Sequence, residues 1–458
     1  MDQELRNLKK NTVVIAIANI GSKGISFILA PLYSFIMSTA EYGIIDILST
    51  TISLLFPILC FDIYEATFRY SSDNKYNDKK VLNTSLRVYG PACVLSILIS
   101  VASFAIAPNN YYVAVPVCVF LSSINCIFAQ YLRGKQRIKQ FAFSGVVSAV
   151  SLLALTVVFT IVLKMGVTGW VFAYSISKVI ELIYLLMADH NYRDVSWKEY
   201  DRGYLKEFMK YSLPLMPTTI MWWVMNLSDR YVLAGILGVA ATGIYAVAAK
   251  IPSILSLFEN IFYQAWQTTA IKKAEDEQRD LFFSSVFQNY MTVMVIGVLG
   301  LLIISKPAVY LLFAEDYHEA WIYLPPLIIG VMIHALNGNL GSLYAVYKKT
   351  NGALISTFMG AVINLTLNFL IIPYVGIMGA ALTTLLGYGV TFLYRWFDTK
   401  RFIDISIEKR DTLILLSFTI VQLILFYINN YYSYFLRIVL LIVAIIWKRR
   451  ILIDIVRK

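Results

Sequence analysis

Five basic side chains, Lys23, Arg87, Lys178, Arg230 and Lys250, stand inside stretches that are otherwise almost wholly apolar. A cation at the centre of a lipid-embedded helix costs roughly 2.5–3.5 kcal/mol to insert, so such residues are expected to face partners or a wet cavity. Polar side chains at helical spacing accompany them. Asn19 and Ser26 share a face with Lys23; Thr219, Trp223 and Asn226 share one with Arg230; Ser253, Asn260 and Gln264 share one with Lys250. Asn364 and Asn368 form a similar line four residues apart. The expectation is a cavity lined by Asn19, Asn226, Asn260, Gln264, Asn364 and Asn368, with Lys23, Arg230 and Lys250 as its main cations. Spare positive charge suits an anion: arginine forks onto phosphate oxygens and lysine supplies a point charge. Trp222, Trp223 and Trp266 offer faces on which sugar rings stack.

Two cations admit a second reading each. Lys178 and Glu181 are three residues apart on one helix, which fits a structural pair as well as a ligand contact. Arg87 lies about two turns into its helix, near enough to the surface for its charge to snorkel out. The acidic residues inside the apolar stretches are Asp46, Asp62, Glu65, Glu181, Asp229 and Glu259. Of these, Asp62, Asp229 and Glu259 are candidates for ion or proton coupling.

The elements that must hold these groups follow from composition. The 458 residues are 59% hydrophobic and 15% charged, with a mean hydropathy of +0.67, far from a soluble average. Apolar windows fall near 11–37, 43–66, 81–106, 111–132, 141–164, 167–188, 211–236, 240–267, 281–304, 321–347, 353–373, 376–397, 411–430 and 433–450. Each is close to the ~20 residues a spanning helix needs. The short alternating segments of a membrane barrel are absent, so the chain is expected to be an all-α, multi-pass integral membrane protein with about fourteen spans. Thirty-one of the 39 Lys and Arg residues lie at alternate joints; because basic joints stay on the cytoplasmic side, both termini are expected there. Lys164, Lys306 and Arg437 alone fall at the outer joints. The net charge of +11 is then mainly a topology signal that also draws anionic lipids, and nucleic acid is not needed to explain it. Cys60, Cys93, Cys118 and Cys126 lack metal or redox spacing, the three histidines are scattered, and no nucleophile elbow or phosphate loop occurs. No metal, cofactor or catalytic residue is expected.

The chain also echoes itself. Gly166-Val-Thr-Gly169 and Tyr184 recur as Gly376-Ile-Met-Gly379 and Tyr394, and the basic joint Arg133 to Lys139 corresponds to Lys348-Lys349. Six spans per copy is an even number, so the copies share one orientation. The expected organisation is a six-helix lobe over 1–190, a cytoplasmic linker over 191–210, a second six-helix lobe over 211–400, and two additional helices with a cytoplasmic tail over 401–458.

Several of these residues resemble the polysaccharide-transport (oligosaccharide flippase) family of the multidrug/oligosaccharidyl-lipid/polysaccharide exporter superfamily. The resemblance is carried by Gly21-Ser22-Lys23 through Pro31-Leu32-Tyr33 to Glu41-Tyr42-Gly43 and Asp46, and by Asp62 through Glu65-Ala66 to Arg69-Tyr70. It continues in Ser212-Leu213-Pro214-Leu215-Met216-Pro217, Asp229-Arg230-Tyr231, Gly243-Ile244-Tyr245, Lys250-Ile251-Pro252 and Gln264-Ala265-Trp266. It implies a non-enzymatic flippase of the inner cell membrane. Its substrate would be an undecaprenyl-pyrophosphate-linked oligosaccharide repeat unit for O-antigen or capsule, moved by alternating access between the lobes. Membrane lipids and polysaccharide polymerase or assembly proteins are the implied partners. A peptidoglycan-precursor lipid flippase is a near alternative. A drug/cation antiporter would want an acidic cavity, and a membrane glycosyltransferase or polymerase would want a larger outer loop than the one near Ser305 to Ala320.

Overall fold

Backbone N–H and C=O groups in apolar stretches of this length must be satisfied within the segment, and helices do that. The computed structural model describes residues 21, 23–73, 75–106, 111–196, 198–273, 277–347, 349–428 and 430–451, and no strand occurs among them. The chain divides into two compact units, Met1–Trp223 and Val224–Lys458.

The first unit contains α1 (Lys23–Ile36), α2 (Thr39–Leu59), α3 (Ile63–Ser71), α4 (Asp78–Ile106), α5 (Val115–Gly134), α6 (Ile138–Thr156), α7 (Gly166–Met187) and α8 (Arg202–Ser212). The boundary between units falls within α9 (Met216–Leu237). The second unit continues through α10 (Val239–Lys250), α11 (Ser253–Lys273), α12 (Arg279–Leu312), α13 (Leu324–Val346), α14 (Thr350–Val375), α15 (Ile377–Thr399), α16 (Lys409–Ile428) and α17 (Tyr431–Trp447). Within the first unit α5 packs on α2, α3, α4 and α7. Within the second, α13, α14 and α15 pack together while α16 and α17 lie on α12.

Local sequence sets the element ends. Ser38 and Glu41 form a reciprocal capping box that starts α2. The stretch expected as one span over 43–66 is instead two helices. Pro57 removes a backbone donor from the last turn of α2, and Phe61 and Asp62 then take left-handed conformations, φ 51° and 50°, before α3 begins. The two glycines of the internal echo both take a positive φ where the next helix begins, Gly166 at 54° and Gly376 at 67°, where a side chain would be strained. One helical turn on, the partner glycines also match. A Cβ at Gly169 would lie 2.9 Å from the Phe159 carbonyl, and one at Gly379 would lie 3.2 Å from Ile371 and Ile372. In both units the second glycine lets a helix start closely against the end of the helix before it.

Among the described residues, nine helices are long and apolar enough to cross a membrane, or ten if the α10–α11 pair, bent by 49°, is one span. Of the fourteen expected windows, those of α1, α4, α9 and α17 are not among these: part of the first window lies outside the described residues, α17 is short for a span, and α9 gives up apolar length to Asn226, Asp229 and Arg230.

Candidate functional site

In the second unit α9 carries an acid and a base side by side, both withdrawn from solvent: Asp229 is 1% exposed and Arg230 8%. The Arg230 guanidinium donates to Asp229 Oδ1 at 3.2 Å and to its own helix at the Asn226 carbonyl at 3.1 Å. The second carboxylate oxygen of Asp229 accepts from the Tyr245 hydroxyl of α10 and from Thr384 of α15 at 3.3 Å. The Arg230 guanidinium also lies over the Tyr245 ring, 5.5 Å from its centre. The carboxylate is thus stabilised by one cation and two hydroxyls from two further helices, the arrangement that a buried charge requires.

Amides extend this hub. Asn364 accepts from Ser228 at 3.4 Å and from Asn368 at 3.3 Å, and donates to Thr384 at 3.5 Å. Thr383 donates to Asn368 and Tyr388 donates to Asn226. Beyond Tyr388, Asn337 donates to its carbonyl at 3.0 Å, and the His334 ring packs against the Tyr388 ring 5.0 Å away. His334 Nδ1 reaches Glu259 at 3.0 Å. Polar groups from α9, α10, α11, α13, α14 and α15 therefore join through short links inside one unit. Glycines make room for it: a Cβ on Gly360 would lie 2.9 Å from the Gly387 carbonyl, so α14 and α15 approach backbone to backbone.

The first unit holds a smaller constellation. Lys178 pairs with Glu181 at 2.7 Å and donates to Ser148 at 3.1 Å, while Asn125 of α5 donates to the Glu181 carboxylate at 3.2 Å. Asp62 is fully buried and accepts from the Thr219 hydroxyl at 2.9 Å; no cation pairs with it among the described residues.

The structure thus gathers Asn226, Asp229, Arg230, Glu259, Asn364 and Asn368 into one network and sets other expected residues apart. Asn364 and Asn368 are completely buried among helices. Lys23 is exposed on α1, and Lys250 is half-buried at the last residue of α10, where the chain bends into α11. Arg87 is exposed and stacks over the Tyr200 ring at 4.6 Å. Asn260 is exposed and bonds back to the Ser256 carbonyl of its own helix at 2.5 Å. Asn19 and the side chain of Gln264 lie outside the described residues. Of the tryptophans, Trp266 is 4% exposed, donates to Ser342 at 2.8 Å and stacks among Phe262 and Phe282. Its faces are therefore occupied by protein. Trp223 donates to Ser53 at 3.1 Å and to the Thr50 carbonyl at 3.2 Å.

Outside the apolar spans, Asp201 caps α8. The backbone N–H of Tyr204, then that of Gly203 and the ammonium of Lys80, hold its carboxyl below the usual range against partial burial.

Some residues that matter here were not singled out from sequence. Arg395 counts there as a joint cation, yet it is 3% exposed. Its guanidinium donates to Ser356 at 2.9 Å, Thr357 at 3.0 Å and the Asn337 carbonyl at 2.7 Å. Arg437 counts as an outer-joint cation and is 2% exposed. Tyr388 and Thr384 carried no sequence signal beyond helical phase, and Tyr245 entered only as part of the Gly243-Ile244-Tyr245 match.

Apolar helices that enclose joined acids, bases and amides are those of an integral, multi-pass membrane protein, and comparison with known proteins agrees. The "Lipid II flippase MurJ, inward closed conformation" has the same fold, with a TM-score of 0.72 at 14% identity over 96% of this chain and 100% of that one. The outward-facing conformation of a multidrug resistance MATE family transporter matches with a TM-score of 0.62 at 14% identity over 86% of this chain and 97% of that one. An uncharacterized membrane protein of Methanocaldococcus jannaschii is 22% identical over 86% of this chain and 98% of its own length. The "Probable low-salt glycan biosynthesis flippase Agl15" of Haloferax volcanii is 19% identical over 88% of this chain and 85% of its own. A family model described as "Polysaccharide biosynthesis protein" matches residues 8–267. The chain belongs to that family.

Proposed function

We propose that this protein carries a polyprenyl-pyrophosphate-linked oligosaccharide, such as an undecaprenyl-linked O-antigen or capsule repeat unit, from the inner to the outer leaflet of the cell membrane. Membership of the polysaccharide biosynthesis family supports the cargo class, as does the flippase named among its relatives. The observation that carries the reading is the buried Asp229–Arg230 hub, a cation held at depth in an apolar bundle by a carboxylate with other polar partners. When a proton or small cation takes the place of Arg230 on Asp229, the guanidinium is released to fork onto a pyrophosphate oxygen. Lys250, at the α10–α11 bend, and Lys23 add positive charge for the same headgroup, with Lys178 and Arg87 in lesser roles. Asp62 and Glu259 are the further candidates for coupling.

Two lobes of six helices would open alternately to the two sides, the polyprenyl tail remaining in lipid. A potential of 100 mV is worth roughly 2.3 kcal/mol per charge moved, so an anionic headgroup leaves a negative interior downhill. Both termini face the cytoplasm in this scheme, which reporter fusions at the joints test. The double replacement Arg230→Gln, Lys250→Gln should lower glycan export while membrane insertion is unchanged. Normal export in that variant would refute the assignment. The likeness to the lipid II flippase fold keeps a peptidoglycan-precursor cargo as the second reading. Competition between the two lipid-linked substrates in proteoliposomes separates them.

A further inference from the structure

Glu259 on α11 has one ion-pair partner among the described residues, and it is a histidine. His334 Nδ1 of α13 lies 3.0 Å from Glu259 Oε1 and 3.2 Å from Oε2, so the ring meets both oxygens of the carboxylate. One turn along α13, Gly338 leaves room for that carboxylate: a Cβ there would lie 3.4 Å from Oε1. The ionisable groups around the pair are Tyr263 on α11, Tyr290 on α12, and Tyr388 and Arg395 on α15. From α9, Asp229 and Arg230 act on Tyr388 as well. On α10, Tyr245 is given to Asp229 and Lys250 stands across the α10–α11 bend; α14 brings only Tyr374, next to its last residue. Arg395 spends its guanidinium on Ser356, Thr357 and the Asn337 carbonyl. The countercharge of Glu259 is therefore His334, and a histidine supplies one only when its ring is protonated.

We propose that His334 and Glu259 form a proton-binding site that reports to the Asp229 hub. The imidazole takes up one proton and becomes the countercharge of Glu259. On release the neutral ring still donates its Nδ1–H to the carboxylate, so the hydrogen bond stays and only the charge of the pair changes, from zero to minus one. Histidine is the side chain suited to that exchange near neutral pH. Both partners keep an accessible edge, 28% of the His334 side chain and 13% of the Glu259 side chain, so the proton has a way in. The connection to the hub is made of contacts inside the second unit. The His334 ring lies 5.0 Å from the Tyr388 ring, the Tyr388 hydroxyl donates to the Asn226 side chain, and the Asn226 carbonyl accepts from Arg230. Protonation at the α11–α13 contact and pairing at Asp229 then bias one another, as linked equilibria must. The coupling role given to this site rests on the transport reading above; the binding of the proton does not.

The test uses the full chain in nanodiscs, with isotope-labelled histidine followed by NMR over roughly pH 5 to 9. The chain has three histidines, His190, His318 and His334. His334→Gln assigns the signal directly, and His190→Gln with His318→Gln assigns it by elimination if the first variant fails to fold. The His334 signal should titrate within this range, and Glu259→Gln should displace its midpoint by about one pH unit or more. The double replacement Asp229→Asn, Arg230→Gln, which touches neither partner, should alter the proton affinity of His334 by about fivefold or more. A His334 signal that does not titrate, or an affinity within about twofold of wild type in Glu259→Gln, would overturn the proton site. An affinity unchanged in the doubly neutral variant would overturn its link to the hub. No reading here uses a glycan substrate, so a wrong cargo and a wrong proton site are told apart.

Discussion

The two units bury an acid beside a base in different ways. In the first, Lys178 and Glu181 sit one turn apart on α7, with Asn125 from α5 and Ser148 from α6 as outside support. In the second, Asp229 and Arg230 are neighbours on α9, and the carboxylate is also held by α10 and α15 and, through Ser228, Asn364 and Thr384, tied to α14. The first is a local pair that stays closed while its helix moves. The second exists only when several helices are in register, so a change of charge at Asp229 is felt by all of them. That difference is the reason for proposing Asp229, and not Glu181, for the coupling role.

Single replacements sharpen this contrast. Asp229→Ala leaves Arg230 buried without its carboxylate and should cost on the order of 3–5 kcal/mol, read as a large fall in melting temperature in detergent. Tyr245→Phe removes a hydrogen bond to a charged acceptor and should cost roughly 1.5–3 kcal/mol. Gly360→Ala forces α14 away from the Gly387 carbonyl. Overpacking of this kind costs about 1–3 kcal/mol, and transport should fall with it because the hub depends on that approach. Glu181→Gln should cost only about 1 kcal/mol, since Lys178 keeps Ser148 and the new amide still accepts from Asn125. If Glu181→Gln proves as damaging as Asp229→Ala, the contrast is broken.

The smallest effect concerns pH. Asp201 has a carboxyl held below its unfolded value, so it stabilises the fold above the ordinary carboxylate range and loses that contribution as pH falls through the lowered value. Acidification should fray the start of α8 first, visible as faster amide exchange at Gly203 and Tyr204, and Asp201→Asn should abolish the pH dependence.

Much of the frame was legible in the sequence because lipid imposes simple rules. Long apolar windows became helices, and the recurring glycines at Gly166 and Gly376 both take a positive φ at the start of a helix. Asn364 and Asn368 were legible as one face because four residues make a helical turn, and their partners across α9 and α15 were not. The errors share a cause. Arg395 and Arg437 look like joint cations because they stand near span ends, but a neighbouring Gly341, whose missing side chain admits the Arg395 guanidinium, is visible only in three dimensions. Likewise Pro57 signalled a weakness in α2, whereas the left-handed break at Phe61 and Asp62 depends on packing around them.

Whether the hub is transport machinery or scaffolding is decided by neutralising both charges together. Asp229→Asn, Arg230→Gln removes the buried pair without stranding either ion, so the protein should melt within a few degrees of wild type. In proteoliposomes holding a membrane potential, its rate of moving a fluorescent polyprenyl-pyrophosphate-linked oligosaccharide should fall by about tenfold or more. A doubly neutral variant that folds and carries this substrate at the wild-type rate would contradict the account.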